Sequence, residues 1–210
     1  MALSAARSMR DVPVLFPSLF SAASAEAFFT TTGLVAIAEI GDKTQLLSLL
    51  LVARFRRPWP ILAGILLATV ANHLLAAWLG VWIEALVNPQ VLRWALAASF
   101  LAMAVWTLIP DKLDAEEAPR SGRFGAFLTT LVAFFIAEIG DKTQLATTAL
   151  AARYESVLVI TLGSTFGLLL ANMPVVLFGQ RIIARLPMDM VRRVAAAAFA
   201  LLALLTVFEW

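Results

Sequence analysis

The chain contains one ten-residue motif twice, and this motif holds the residues best suited to chemistry. The sequence Ile-Ala-Glu-Ile-Gly-Asp-Lys-Thr-Gln-Leu occupies residues 37–46 and recurs without change at residues 136–145. The charged side chains of the two copies are Glu39, Asp42, Lys43, Glu138, Asp141 and Lys142. Identical copies within otherwise diverged halves indicate a functional site, because packing alone tolerates substitution far more freely.

The side chains of the motif are typical of an oxygen-ligand site for a divalent cation. If both copies converge, four carboxylates and two ammonium groups leave a charge of about minus two, which such a cation would neutralise. Further neutral oxygens come from Thr44, Gln45, Thr143 and Gln144. A carboxylate-rich oxygen shell suits Ca²⁺, Mn²⁺ or Mg²⁺. The chain has no cysteine and one histidine, so thiolate sites and a histidine-based zinc site are excluded.

The same carboxylates predict coupling of the cation to protons. Crowded and partly desolvated carboxylates hold protons when no cation is present, and a metal ion expels them. We predict that Glu39 and Glu138 carry these protons, and that Lys43 and Lys142 support the site. The alternative is that each Glu–Lys pair is an internal salt bridge that holds helices together without a ligand.

The composition predicts that a lipid bilayer surrounds these residues. Of 210 residues, 61% are hydrophobic and only 14% are charged, whereas a soluble domain has about 25% charged residues. The net charge of +2 gives no indication of a nucleic-acid partner. Apolar runs of about 20 residues predict membrane-spanning helices. Six such runs cover residues 28–53, 59–83, 91–109, 124–152, 157–180 and 190–208.

The motifs lie within the first and the fourth of these runs. Glu39, Asp42 and Lys43 are spaced i, i+3 and i+4, which predicts that they share one face of a continuous helix. Ionised groups at the centre of a membrane helix cost about 2.5–3.5 kcal/mol each, so this face should point inward. On a regular helix the threonine of each motif points away from the glutamate. The glycine of each motif loosens the helix there.

The duplication extends over most of the chain. The two motifs are 99 residues apart, and further residues match at this offset: Arg54 with Arg153, Gly64 with Gly163, Gly80 with Gly179, Arg93 with Arg192 and Phe100 with Phe199. Each half has three predicted helices, so the second half should enter the membrane from the opposite side. We predict an all-α membrane protein with six transmembrane helices as two inverted three-helix repeats. Its predicted parts are an N-terminal segment (1–26), the first repeat (27–110), a polar linker (111–123) and the second repeat (124–210).

Three polar residues of the second and fifth runs lie at membrane depth. Asn72 and Asn172 match with a one-residue slip, and we expect them to bond across helices or to line the pathway. His73 follows Asn72, whereas Met173 follows Asn172, so the histidine is outside the duplicated pattern. A packing role is favoured for His73 over a role in proton relay or gating.

The basic residues predict the orientation of the chain. One side carries Arg54, Arg56, Arg57, Lys112, Arg120, Arg123, Arg181, Arg185, Arg192 and Arg193, and the other carries only Arg7, Arg10, Arg93 and Arg153. The richer side should face the cytoplasm, which places both termini outside. Residues 1–26 resemble either a signal peptide cleaved before Glu26 or an uncleaved surface segment, and both alternatives stay open.

The paired Glu-x-Gly-Asp-Lys-Thr motifs resemble those of the Golgi, thylakoid and bacterial calcium/manganese:proton antiporters, near the cation/calcium exchanger superfamily. The similarity covers nearly everything from residue 27 onward. It implies that the acidic motif residues are metal ligands, which carries over to Glu39, Asp42, Glu138 and Asp141. It also implies support from Thr44, Thr143, Gln45 and Gln144. Bacterial members of this family resemble manganese exporters.

The sequence thus predicts a secondary transporter that exports Mn²⁺, or Ca²⁺, from the cytoplasm of a bacterium in exchange for protons across the inner membrane. A divalent cation channel and an exporter of small zwitterionic solutes are the alternatives. An enzyme is not expected, because no nucleophile–base set is present, and no cofactor is expected. The expected partners are the divalent metal ion, protons and the lipid bilayer. A homo-oligomer stays open.

Overall fold

A computed structural model describes residues 21–110, 125–179 and 187–208 of the chain. Within these ranges the chain forms helices and no strands. The eight helices are α1 (Ala22–Glu39), α2 (Lys43–Phe55), α3 (Pro58–Leu86), α4 (Pro89–Thr107), α5 (Ala126–Glu138), α6 (Lys142–Tyr154), α7 (Val157–Phe178) and α8 (Met188–Phe208). The predicted all-α class is confirmed. Residues 1–20 and 111–124, which hold most of the N-terminal segment and the linker, lie outside the described residues.

Four of the predicted apolar runs correspond to α3, α4, α7 and α8, with ends that agree within three residues. These four helices are long and apolar enough to cross a membrane. The other two runs are each divided into two shorter helices, α1 with α2 and α5 with α6. Helix α5 is a short apolar helix of 13 residues.

Both divisions fall within the repeated motif, so the prediction of one continuous helix through each motif is wrong. Glu39 is the last residue of α1, and Lys43 is the first residue of α2, so the motif residues do not share one helical face. Gly41 and Gly140 have φ angles of +83° and +75°, a backbone conformation that side-chain-bearing residues rarely adopt. Asp42 and Asp141 then cap the N-termini of α2 and α6. Each interruption is therefore a defined helix end followed by a defined helix start, rather than a frayed segment.

Each divided pair of helices runs along one long helix of the other half. Helices α1 and α2 run parallel to α7, because residue numbers increase together along the contacts: Thr31 lies near Gly163, Val35 near Gly167, and Gln45 bonds to Ala171. Helices α5 and α6 follow α3 in the same way: Thr130 lies near Gly64, Phe135 bonds to Asn72, and Ala151 lies near Gly80. Helix α3 also packs on α7, and α4 packs on α8. The two halves therefore interlock rather than lie side by side.

The distribution of polarity is opposite to that of a soluble protein. Large apolar side chains such as Leu75, Val105 and Leu204 are more than half exposed, whereas Glu39 and His73 are fully buried. An apolar exterior around a polar interior is stable when lipid is the surrounding solvent. The described part of the chain is therefore that of an all-α membrane protein.

Gly80 provides a test of this interlocked packing. A Cβ atom at Gly80 would overlap the carbonyl oxygen of Thr148 and lie 3.0 Å from Ala151 Cβ, on the neighbouring α6. We expect Gly80→Ala to lower the free energy of unfolding by about 1–3 kcal/mol, because the two backbones must separate. Thermal unfolding in detergent would measure the effect. The matched control is Gly33→Ala in α1, where nothing lies within 4 Å of the added methyl group. An equal effect of both changes would contradict the close approach.

Candidate metal site

The two interruptions meet inside the protein and bring acidic side chains of both halves together. Glu39, Glu138 and Asp141 each offer a carboxylate oxygen, and these oxygens lie within 4.8 Å of one another. All three residues are buried. Since carboxylates repel one another in a medium of low dielectric constant, this group is stable only with protons or a cation between its members.

The fourth acidic residue, Asp42, is engaged by a lysine of the other half. Lys142 Nζ lies 2.5 Å from Asp42 Oδ1, and both side chains are almost completely excluded from solvent. Asp42 Oδ2 also accepts the backbone N–H of Thr44, so it caps α2. The ion pair therefore links the start of α6 to the start of α2 across the two halves.

The threonine of each motif turns toward the carboxylates because the helix is interrupted. Thr44 Oγ1 donates a 2.7 Å hydrogen bond to Glu39 Oε2. Thr143 Oγ1 lies 3.1 Å from Asp141 Oδ2 and 3.4 Å from Glu138 Oε2. On a regular helix the threonine points away from the glutamate, so the interruption places both hydroxyl groups at the acidic group.

One oxygen of each glutamate, Glu39 Oε1 and Glu138 Oε1, has no hydrogen-bond donor among the described residues. A buried carboxylate oxygen without a partner is costly, so these two atoms favour a cation or a proton. The same two glutamates end α1 and α5, whose last carbonyl groups carry the partial negative charge of a helix C-terminus. Side chains and helix ends thus attract positive charge to one place.

The glutamines of the motif contact the backbone of the interruptions. Gln45 Oε1 accepts the N–H of Gly41 at 2.9 Å, and Gln45 Nε2 donates to the carbonyl oxygen of Ala171 at 2.9 Å. Gln144 Oε1 accepts the N–H of Gly140 at 2.7 Å. Each glutamine therefore stabilises the backbone between the two helices of its own motif, and Gln45 also links that backbone to α7.

The two glutamines predict an unequal response to the same substitution. Gln45→Leu should lower the free energy of unfolding by about 1–3 kcal/mol, because it leaves the N–H of Gly41 unpaired and removes the bond to Ala171 in a buried setting. Gln144→Leu is the matched control, and its effect should be smaller, since Gln144 is only half-buried and makes one such bond among the described residues, whereas Gln45 makes two. Chemical denaturation in detergent would compare them. A larger effect at Gln144 would contradict this assignment.

Asparagine and serine residues extend the polar interior beyond the motifs. Asn72 Nδ2 donates to the carbonyl oxygen of Phe135 at 3.0 Å, three residues before the end of α5. Asn172 Oδ1 accepts a 2.8 Å hydrogen bond from Ser48 Oγ, which joins α7 to α2. The sequence analysis does not identify Ser48 as a site residue. Its match with Thr147, another hydroxyl residue at the offset of the motifs, is a signal that could have identified it.

His73 lies beside the acidic group. Its ring is fully buried, and Nε2 is 4.0 Å from Glu138 Oε2. Neither ring nitrogen has a hydrogen-bond partner in the described part of the chain. A packing histidine, the role that the sequence favours, would form such a bond, and none is present among the described residues.

Buried acidic residues at paired helix interruptions, within an all-α membrane protein, are typical of secondary transporters that carry cations. The chain belongs to the family described as the divalent cation/proton antiporter GDT1, which it matches over residues 27–115 and 126–210. The resemblance drawn from the motifs is therefore confirmed. Members of this family are transporters and not enzymes.

Curated relatives cover most of the chain. It is 55% identical over 175 residues to a Vibrio cholerae protein named "Putative manganese exporter", and the match covers 83% of this chain and 86% of that protein. It is 26% identical to a GDT1-like protein of Synechocystis, over 86% of this chain and 96% of the relative. A GDT1-like protein of Arabidopsis thaliana is 24% identical, over 90% of this chain and 71% of the relative. No solved structure gives a significant match to the chain.

Proposed function

We propose that the protein exports Mn²⁺ from the cytoplasm in exchange for protons, and that both use the buried acidic group at the two interruptions. The observation that carries this proposal is the convergence of Glu39, Glu138 and Asp141, whose oxygens lie within 4.8 Å of one another although they come from different halves. Divalent cations such as Mn²⁺ take carboxylate and hydroxyl oxygens as ligands. Family membership favours exchange over the channel and over the exporter of zwitterionic solutes.

In this proposal the ligands are Glu39, Asp42, Glu138 and Asp141, with Thr44 and Thr143 as hydroxyl donors or further ligands. Glu39 and Glu138 carry the exchanged protons, because each has one oxygen without a hydrogen-bond donor among the described residues. Gln45 and Gln144 hold the interruptions, and Asn72 and Asn172 brace them from the long helices. Lys43 and Lys142 balance the charge of the acidic residues.

We further propose that the six membrane spans form two inverted repeats, with α1–α2 and α5–α6 as interrupted spans. Three observations support the inversion. Helices α1 and α2 run in the same direction as α7, and α5 and α6 run in the same direction as α3. Only two residues separate α2 from α3. His73, near the middle of α3, lies beside Glu138 at the end of α5. Helix α3 therefore runs back from the end of α2 toward the acidic group, opposite in direction to α2. The two interrupted spans would then be antiparallel.

The preference for Mn²⁺ and the outward direction of transport rest on the relative from Vibrio cholerae, whose name describes manganese export. The ten-to-four division of basic residues supports an orientation with both termini outside the cytoplasm. A bacterial inner membrane is the corresponding location. There the inward proton gradient would supply the free energy for export.

Transport by the purified protein in liposomes would test the proposal. With Mn²⁺ outside and a pH-sensitive dye in the lumen, Mn²⁺ entry should raise the luminal pH, because protons leave in exchange. Mn²⁺ entry without any change of luminal pH would contradict exchange. Parallel experiments with Ca²⁺ would measure the preference, which we expect to favour Mn²⁺.

The direction requires a test in cells. Expression in a bacterium that lacks its own manganese exporter should lower the manganese content of the cells and restore growth at high Mn²⁺. A higher manganese content on expression would contradict export. Glu26→Gln is a suitable control variant for both assays, because Glu26 is exposed.

A further inference from the structure

We infer that His73 Nε2 is a direct ligand of the transported cation, and that this nitrogen makes the site select Mn²⁺ over Ca²⁺ and Mg²⁺. The inference rests on the proposed function, because it assigns a further ligand to the same site. It concerns a residue outside the duplicated motifs, on the long helix α3.

The surroundings of His73 provide the first argument. The ring is fully buried, and both nitrogens lack a hydrogen-bond partner among the described residues. A neutral imidazole has one donor and one acceptor, and buried polar atoms in proteins are nearly always paired. A packing histidine would therefore bond to a carbonyl or hydroxyl group. A metal ion at Nε2 would satisfy the acceptor nitrogen, which the described protein atoms leave unused.

The distance to Glu138 provides the second argument. His73 Nε2 and Glu138 Oε2 are 4.0 Å apart, which is too long for a hydrogen bond between them. Ligand atoms lie about 2.0–2.6 Å from an ion of this class, so two ligands of one ion are at most about 4–5 Å apart. The observed separation of 4.0 Å lies within this limit, so both atoms can bind one cation. The other oxygen of Glu138 lacks a donor in the described structure and faces the same need for positive charge.

The backbone near His73 is fixed to the helix that carries Glu138. The adjacent Asn72 donates its side-chain N–H to the carbonyl oxygen of Phe135 in α5. This bond sets the register of α3 against α5, and so it sets the position of the imidazole relative to the carboxylate. At the offset of the two motifs, which Gly64 with Gly163 and Gly80 with Gly179 keep along these helices, His73 matches Asn172. The Asn172 side chain bonds to Ser48 and to the carbonyl oxygen of Leu168, and it carries no imidazole. The nitrogen therefore contributes to the site from one half only.

Ligand chemistry connects this nitrogen to selectivity. Ca²⁺ and Mg²⁺ are bound by oxygen ligands, whereas imidazole is a good ligand for transition metals. A site of four carboxylates alone would accept all three ions. One neutral nitrogen among the oxygens favours Mn²⁺, because it replaces an oxygen that Ca²⁺ and Mg²⁺ would prefer.

Pulsed electron paramagnetic resonance of bound Mn²⁺ would test the ligand directly. The chain has a single histidine, so a preparation purified without a histidine tag contains one imidazole. We expect a nitrogen coupling to Mn²⁺ that changes when the protein is labelled with ¹⁵N-histidine. A spectrum of bound Mn²⁺ that is unaffected by the label would overturn the inference. Failure of the wild-type protein to bind Mn²⁺ at all would instead contradict the proposed function.

Competition between Mn²⁺ and Ca²⁺ in the liposome assay would test selectivity. His73→Gln should lower the preference for Mn²⁺ by about tenfold, an effect typical of losing support for a bound metal. Met173→Leu, which changes an exposed residue next to Asn172 in α7, should leave the preference unchanged. An unchanged preference in a folded His73→Gln protein would overturn the assignment. If this variant does not fold, the ¹⁵N experiment on the wild-type protein decides the question.

Discussion

Replacement of either Glu39 or Glu138 with glutamine is expected to abolish exchange of Mn²⁺ for protons while the protein still inserts and folds. Each glutamate has one oxygen without a hydrogen-bond donor among the described residues, and the two lie in one group with Asp141. Glutamine has nearly the same shape but carries neither the negative charge nor an exchangeable proton. We expect a loss of more than about 100-fold, since even substitutions outside the direct ligands of a metal cost about 10–100-fold.

The assay for these two variants is Mn²⁺-dependent alkalinisation of the liposome lumen, with a folded state verified by size-exclusion chromatography. Glu26→Gln makes the same chemical change at an exposed position and should retain the parental rate. Parental activity in either Glu39→Gln or Glu138→Gln would contradict a site shared by the two halves. Loss of activity in one variant alone would indicate that only one motif serves transport.

Replacement of Lys142 with methionine should have the largest effect on stability in the absence of metal. Lys142 Nζ lies 2.5 Å from Asp42 Oδ1, and both side chains are buried. Removal of one member of a buried ion pair leaves an uncompensated charge, which costs about 3–5 kcal/mol. Lys142→Met should therefore unfold at a markedly lower temperature than the wild-type protein when a chelator is present. Addition of Mn²⁺ should recover much of the loss, because the cation replaces the ammonium group beside Asp42.

Two further variants would isolate the ion pair. Lys43→Met changes the same position of the other motif, but Lys43 is only half-buried, so its effect should be smaller. Asp42→Asn combined with Lys142→Met removes both charges, and this double variant should be more stable than Lys142→Met alone. A double variant that is less stable than Lys142→Met would contradict a stabilising ion pair. Equal effects of Lys43→Met and Lys142→Met would show that burial does not distinguish the two lysines.

Much of the protein follows from its composition and its duplicated motif. An apolar content of 61% with few charged residues determines a membrane protein, since water cannot surround that much apolar surface. Long apolar runs identified α3, α4, α7 and α8. The motif identified the family, and three of its four acidic residues lie within 4.8 Å of one another in the structure. These features depend on residue type and spacing alone, so no tertiary information was needed.

The prediction of continuous helices through the motifs failed for a physical reason. Apolar residues surround each motif, and hydropathy over a long window cannot distinguish a straight helix from two half-helices. The interruption depends on a glycine with positive φ and an aspartate that caps the next helix. Those residues were visible in the sequence, but a glycine in an apolar helix also serves as a close-packing residue, as at Gly80.

The tertiary structure alone decided how the two copies differ. The same ten residues occur twice, yet Lys142 is buried against Asp42 whereas Lys43 is half-buried. Likewise, Gln45 is buried and bonds to Ala171, whereas Gln144 is half-buried. No rule that acts on the motif itself can separate identical sequences. Their difference comes from the helices packed around them, and these belong to diverged halves. The residue types of the motif thus determined its chemistry, and the surrounding packing determined which side chains meet.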